Sequence, residues 1–118
     1  MTTTAFRAPT AGTVRELAAF VQARAAEGEQ LLLRRVPAEQ HGTPDFAELL
    51  RIPRALGQAA EIAAYELEGE LLADRPDDEV VRLLWRTLLN TAQPFHAHPD
   101  VPAGAREALA AVDELPTC

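Results

Sequence analysis

Apolar residues recur along this chain at three- and four-residue spacing, and nowhere in strict alternation. Val14, Leu17, Val21, Ala25, Gly28 and Leu32 lie on one helical line within an Ala-rich stretch, which predicts a first helix. Its start is expected at Thr13, because Thr13 and Glu16 have the spacing of a capping box. Its end is expected near 34–36, since Pro37 has no N–H and restricts the residue before it. "PAEQHGTP" (37–44) reads as a loop, and Thr43-Pro44-Asp45 as a new N-cap with proline in the first turn. Pro53 leaves two options for the second helical region: a short helix before a longer one, or one helix kinked there. Leu56, Ala60, Ala63, Leu67 and Leu71 form a core stripe, and Gly57, Ala60 and Ala64 a strip of small residues that lets another helix come close.

"RPDDE" (75–79) starts a third helix, with acids where the helix dipole favours them. Arg82, Arg86, Asn90 and Gln93 make one narrow polar stripe on that helix, and most of the rest is Val, Leu or Trp. A helix so apolar belongs in the centre of a bundle or against a second copy. Pro94 ends it, "PFHAHPDVPAG" is a loop, and residues 103–112 form a short fourth helix. With no strand pattern and no repeat, the fold class is all-α, a compact bundle of three to five helices. Residues 1–12 read as a flexible arm and 13–118 as a single helical domain.

Composition narrows the function. Of 118 residues 47% are hydrophobic, enough for one core, but aromatics are few. A formal charge of −7 disfavours phosphate backbones and anionic membranes. All 11 basic residues are arginine, which fits coding bias better than a chemical requirement. The single cysteine, Cys118, allows no intrachain disulfide and reads as a free thiol on a frayed tail. Without a signal-like N-terminus or a long apolar run, the expected location is cytoplasmic.

Three clusters are candidates for chemistry. His96, His98 and Asp100 have a His-x-His-x-Asp spacing that could hold a metal, although a zinc site needs further ligands and a turn explains the segment as well. Glu66, Glu68, Glu70, Asp74, Asp77, Asp78 and Glu79 form an acidic run suited to a basic partner, or to mimicry of nucleic acid by an inhibitor or antitoxin-like protein. Arg82 and Arg86 beside Trp85 could clamp an anion, while Asp78 and Arg82 have the spacing of a favourable i,i+4 pair and Trp85 reads as core. The chain has no serine and no glycine-rich phosphate loop, which disfavours an enzyme.

"LAAFVQARAAEGEQ" (17–30) and "LLNTAQPFHAHPD" (88–100), about 27 of the 118 residues, resemble a family of small proteins of unknown function from high-GC bacteria. The resemblance implies no activity. Its shared part is His98-Pro99-Asp100, with His96 peculiar to this chain. The leading expectation is a small acidic, non-enzymatic interaction or regulatory module that binds a protein partner through Glu66, Glu70, Asp74, Asp77, Asp78 and Trp85. It would self-associate through the third helix, need no cofactor, and bind neither nucleic acid nor membrane directly. A small-molecule or metal-binding protein using the 93–100 loop is the alternative.

Overall fold

A computed structural model describes residues 6–111. It is an all-α bundle of four helices: α1 (Ala11–Arg35), α2 (Pro44–Leu71), α3 (Asp78–Ala92) and α4 (Ala103–Ala110). One-turn 3-10 segments, Ala38–Gln40 and Gln93–Phe95, lie in the connections before α2 and after α3. No strand occurs among the described residues. No helix among them is long and apolar enough to cross a membrane. Cys118, residue 112 of the expected fourth helix and residues 1–5 of the expected arm lie outside the described residues.

Helix α1 starts one turn before the expected capping box. Thr10, in extended backbone, is the N-cap, and its Oγ1 accepts from the Thr13 amide at 3.1 Å. Thr13 is therefore inside the first turn, where its hydroxyl accepts from Thr10 Oγ1. Thr13 alone has a Glu three residues on, yet Thr10 is the cap; Phe6, four residues before it, packs on the core where the chain enters. The second start is as expected, with Thr43 capping Phe46 N at 3.3 Å and Pro44 in the first turn. Pro53 does not split the segment, and α2 continues through it for 28 residues. At α3, Asp77 accepts from the amides of Glu79 and Val80.

The core is concentrated at one end of the molecule. Val14, Leu17, Phe20 and Val21 of α1 meet Ala60, Ala63, Ala64 and Leu67 of α2. Val81, Trp85, Leu88 and Leu89 of α3, with Val101, Ala105 and Leu109, close it. Each fully buried leucine contributes about 1.5–3 kcal/mol. Helix α3 spans only about 22 Å, against about 42 Å for α2. The far halves of α1 and α2 therefore continue past the four-helix body as an antiparallel hairpin, and the molecule measures 60 × 29 × 26 Å.

The hairpin is held by small contacts. A Cβ at Gly57 would lie 3.5 Å from Ala25 Cβ, and one at Gly28 would lie 3.7 Å from Pro53 Cβ. Near its tip His41 donates through Nε2 to the Val36 carbonyl (2.8 Å) and stacks on Phe46 with ring centres 4.5 Å apart. Arg54 donates twice to Glu29 Oε1, at 2.9 and 2.7 Å.

Candidate functional site

The expected loop site has a different organisation from a metal centre. His96 is exposed and donates through Nδ1 to the Gln93 carbonyl (3.0 Å), closing its own turn. His98 turns inward, edge-on to Phe20 at 5.5 Å. Arg24 directs Nη1 at the His98 ring, 3.0 Å from Nδ1 and in contact with Nε2. The Asp100 amide donates to the same Nδ1 at 3.0 Å. Asp100 Oδ2 itself is drawn to within 3.8 Å of Arg24 Nη1. A metal ion on His98 would thus sit beside a guanidinium, a position that Coulomb repulsion disfavours. Among the described residues no group of three or more His, Cys, Asp or Glu is placed to hold a metal ion.

Arg24 is the residue that sequence reasoning missed. Its side chain is 9% exposed, lies 5.1 Å over the Phe20 ring, and pairs with Glu27 at 3.0 Å. It joins the middle of α1 to the loop between α3 and α4. The available signal was a charge one turn beyond Phe20, on a line otherwise leading into the core.

The anion clamp is also reorganised. Arg82 places its guanidinium 4.9 Å over the Phe6 ring and forms no ion pair with Asp78 among the described residues. It is exposed, whereas Arg86 is half-buried and already engaged. Trp85 is 6% exposed and belongs to the core, which removes it from any partner surface.

The acidic run forms one end of the molecule. Two of its members have internal roles: Glu70 Oε1 accepts from the Asp77 amide (2.8 Å), and Asp77 caps α3. Glu68 lies 3.4 Å from Arg15 Nε. Glu66, Asp74 and Asp78 are exposed and form no ion pair among the described residues. Counting from Glu61 to Glu79, eight acids face a single arginine, Arg75, a net −7 that equals the formal charge of the entire chain. All remaining charges balance.

Ile62, Tyr65 and Leu72 are exposed within the acidic segment, and further apolar side chains are open elsewhere. On α3 only Val80 (37%) and Leu83 (54%) stay open. On the projecting hairpin Leu31 (44%), Leu49 (43%) and Ile52 (71%) are open. Compared with protein-family models, with curated proteins and with solved structures, the chain matches none.

Proposed function

We propose that this chain is a non-catalytic helical interaction module that docks a basic protein surface on the acidic end formed by the C-terminal half of α2 and the start of α3. The observation that carries this reading is the localisation of the full −7 between residues 61 and 79. A field concentrated on one end steers and orients a cationic partner, whereas the same charge spread evenly would serve only solubility. Glu66, Asp74 and Asp78 are the contact residues, because Glu70, Asp77 and Glu68 already have intramolecular partners. Self-association belongs to the same reading, and so does the expected kinship with small proteins of unknown function.

An arginine-rich peptide is the probe. Replacing Glu66, Asp74 and Asp78 together by lysine should weaken peptide binding by about tenfold or more at moderate salt. Replacing the exposed Glu16, Glu39 and Glu107 by lysine makes the same change in net charge and should leave binding within about twofold. Equal losses in the two triple variants, read by calorimetry, would mean that only net charge matters and would sink the proposal.

A further inference from the structure

The line on α1 that carries Phe20 and Arg24 against the α3–α4 loop runs on to Leu31, beyond the reach of that loop. On α2, Leu56 packs on the core, and Ile52 and Leu49 continue its line one and two turns further out. The two lines leave the four-helix body with apolar side chains and, among the described residues, no third helix above them. Around Leu31 the charges are arranged in order. Glu27 lies four residues before it, and Arg34 and Arg35 lie three and four residues after it. All four positions are exposed; Glu27 pairs with Arg24 at 3.0 Å while its side chain stays open to solvent, and neither Arg34 nor Arg35 has an ion-pair partner among the described residues.

We infer that the projecting hairpin docks a second copy of this chain across a two-fold axis close to Leu31. The inference rests on the interaction-module reading and names one partner for it. If two copies of α1 cross antiparallel at Leu31, Glu27 of each faces Arg34 and Arg35 of the other. One sequence thereby supplies both halves of a complementary charge pattern, as an isologous interface requires. Leu31, Leu49 and Ile52 of the two copies then fill the space between the hairpins, giving four helices where each chain alone has two.

Charge at larger scale selects the same surface. Residues 25–57 contain five acids and four arginines, close to neutral. Along α2 from Ile52, Glu61 lies about 13 Å away and Glu66 about 21 Å, both beyond one Debye length at physiological salt, so screening keeps the acidic ends from opposing this contact. Val80 and Leu83 on α3 adjoin the acidic end, where a second copy would be repelled. The expected self-association therefore moves from the third helix to the hairpin.

The experiment is sedimentation equilibrium on the full chain at about 100 µM, a concentration that populates a dimer of micromolar affinity. The wild-type mass should double. Leu31→Gln should weaken the dimer by about tenfold or more, since it removes the axial apolar contact. Glu27→Arg makes the patch all-basic, and Arg34→Glu with Arg35→Glu makes it all-acidic. Each should be monomeric alone, and the two mixed should form a heterodimer. Circular dichroism verifies that all variants stay helical. A wild-type chain of single-copy mass, or a dimer indifferent to Leu31→Gln and to the charge swap, overturns the inference. Peptide binding at the acidic end separates the two readings. If the peptide binds a chain that stays monomeric, only the docking surface falls; if neither association occurs, the interaction module falls with it.

Discussion

Arg24 puts a charge where the core ends. Its aliphatic stem fills space over Phe20 while its guanidinium reaches His98 and Glu27, yet its Nε is buried without a hydrogen-bond partner among the described residues. Desolvating a guanidinium is unfavourable, and its hydrogen bonds offset only part of that. Packing of the stem should then dominate its contribution. Arg24→Ala should destabilise the protein by about 2–4 kcal/mol, because it opens a void and leaves His98 with the Asp100 amide as its remaining partner. Arg24→Met, which keeps the stem volume without the charge, should recover more than half of that loss. Urea unfolding of the two variants decides the matter, and a methionine variant no better than alanine would show that the polar contacts dominate. The sequence marks Arg24 only as a charge one turn beyond Phe20 and does not show its partners. "QARAAE" offers a charged residue among alanines, and only the return of the chain from 24 to 98 reveals what the charge meets. For the same reason His96 and His98, which look equivalent in sequence, face solvent and core respectively.

Helix identity was written locally and therefore readable. Caps at Thr43 and Asp77, the prolines that bound the helices, and the spacing of Ala60, Ala63 and Leu67 depend on neighbours within a few residues. The start of α1 and the continuity of α2 at Pro53 depend instead on tertiary packing, of Phe6 on the core and of Pro53 on Gly28, which no local spacing specifies. The glycines separate close approach from mere smallness. A methyl at Gly28 or Gly57 meets its neighbour across the hairpin at 3.7 or 3.5 Å, an ordinary contact distance. Alanine at either site should stabilise by about 0.5–1 kcal/mol through helix propensity. At Gly104, near the start of α4, the same methyl would come within 2.9 Å of Thr13 Oγ1 and 3.4 Å of its Cγ2. Gly104→Ala should lower stability, since Thr13 is held by Thr10 and cannot yield freely. Thermal melts should rank Gly28→Ala and Gly57→Ala above wild type and Gly104→Ala below it. A stabilised Gly104→Ala would show that α4 is not seated against α1 at this distance.

At the scale of the molecule, two different ends share one continuous pair of long helices. The body surrounds α1 and α2 with α3, α4 and the turn at 95–101, whereas the hairpin buries only Ala25, Phe46 and Leu50 outside that core. Local stability follows buried apolar contact, so the two ends should open independently. In dilute solution, amides of 26–35 and 45–52 should exchange at least about tenfold faster than those of 14–21, 60–67 and 84–92. On α1 and α2 the slow and fast segments share a helix, so the contrast follows what is packed against each half rather than which helix it belongs to. It also measures the docking surface directly: covering Leu31, Leu49 and Ile52 with a second copy should slow exchange in the hairpin as concentration rises and leave the body unchanged. Mass spectrometry of exchanged peptides at two protein concentrations reads both effects in one experiment. Uniform protection along α1 and α2 at low concentration would mean that the hairpin is as firmly held as the body. In that case His41 on Phe46, Arg54 on Glu29 and the Ala25–Gly57 contact suffice to hold two helices together, and the exposed leucines and isoleucine would not need a partner to keep the tip folded.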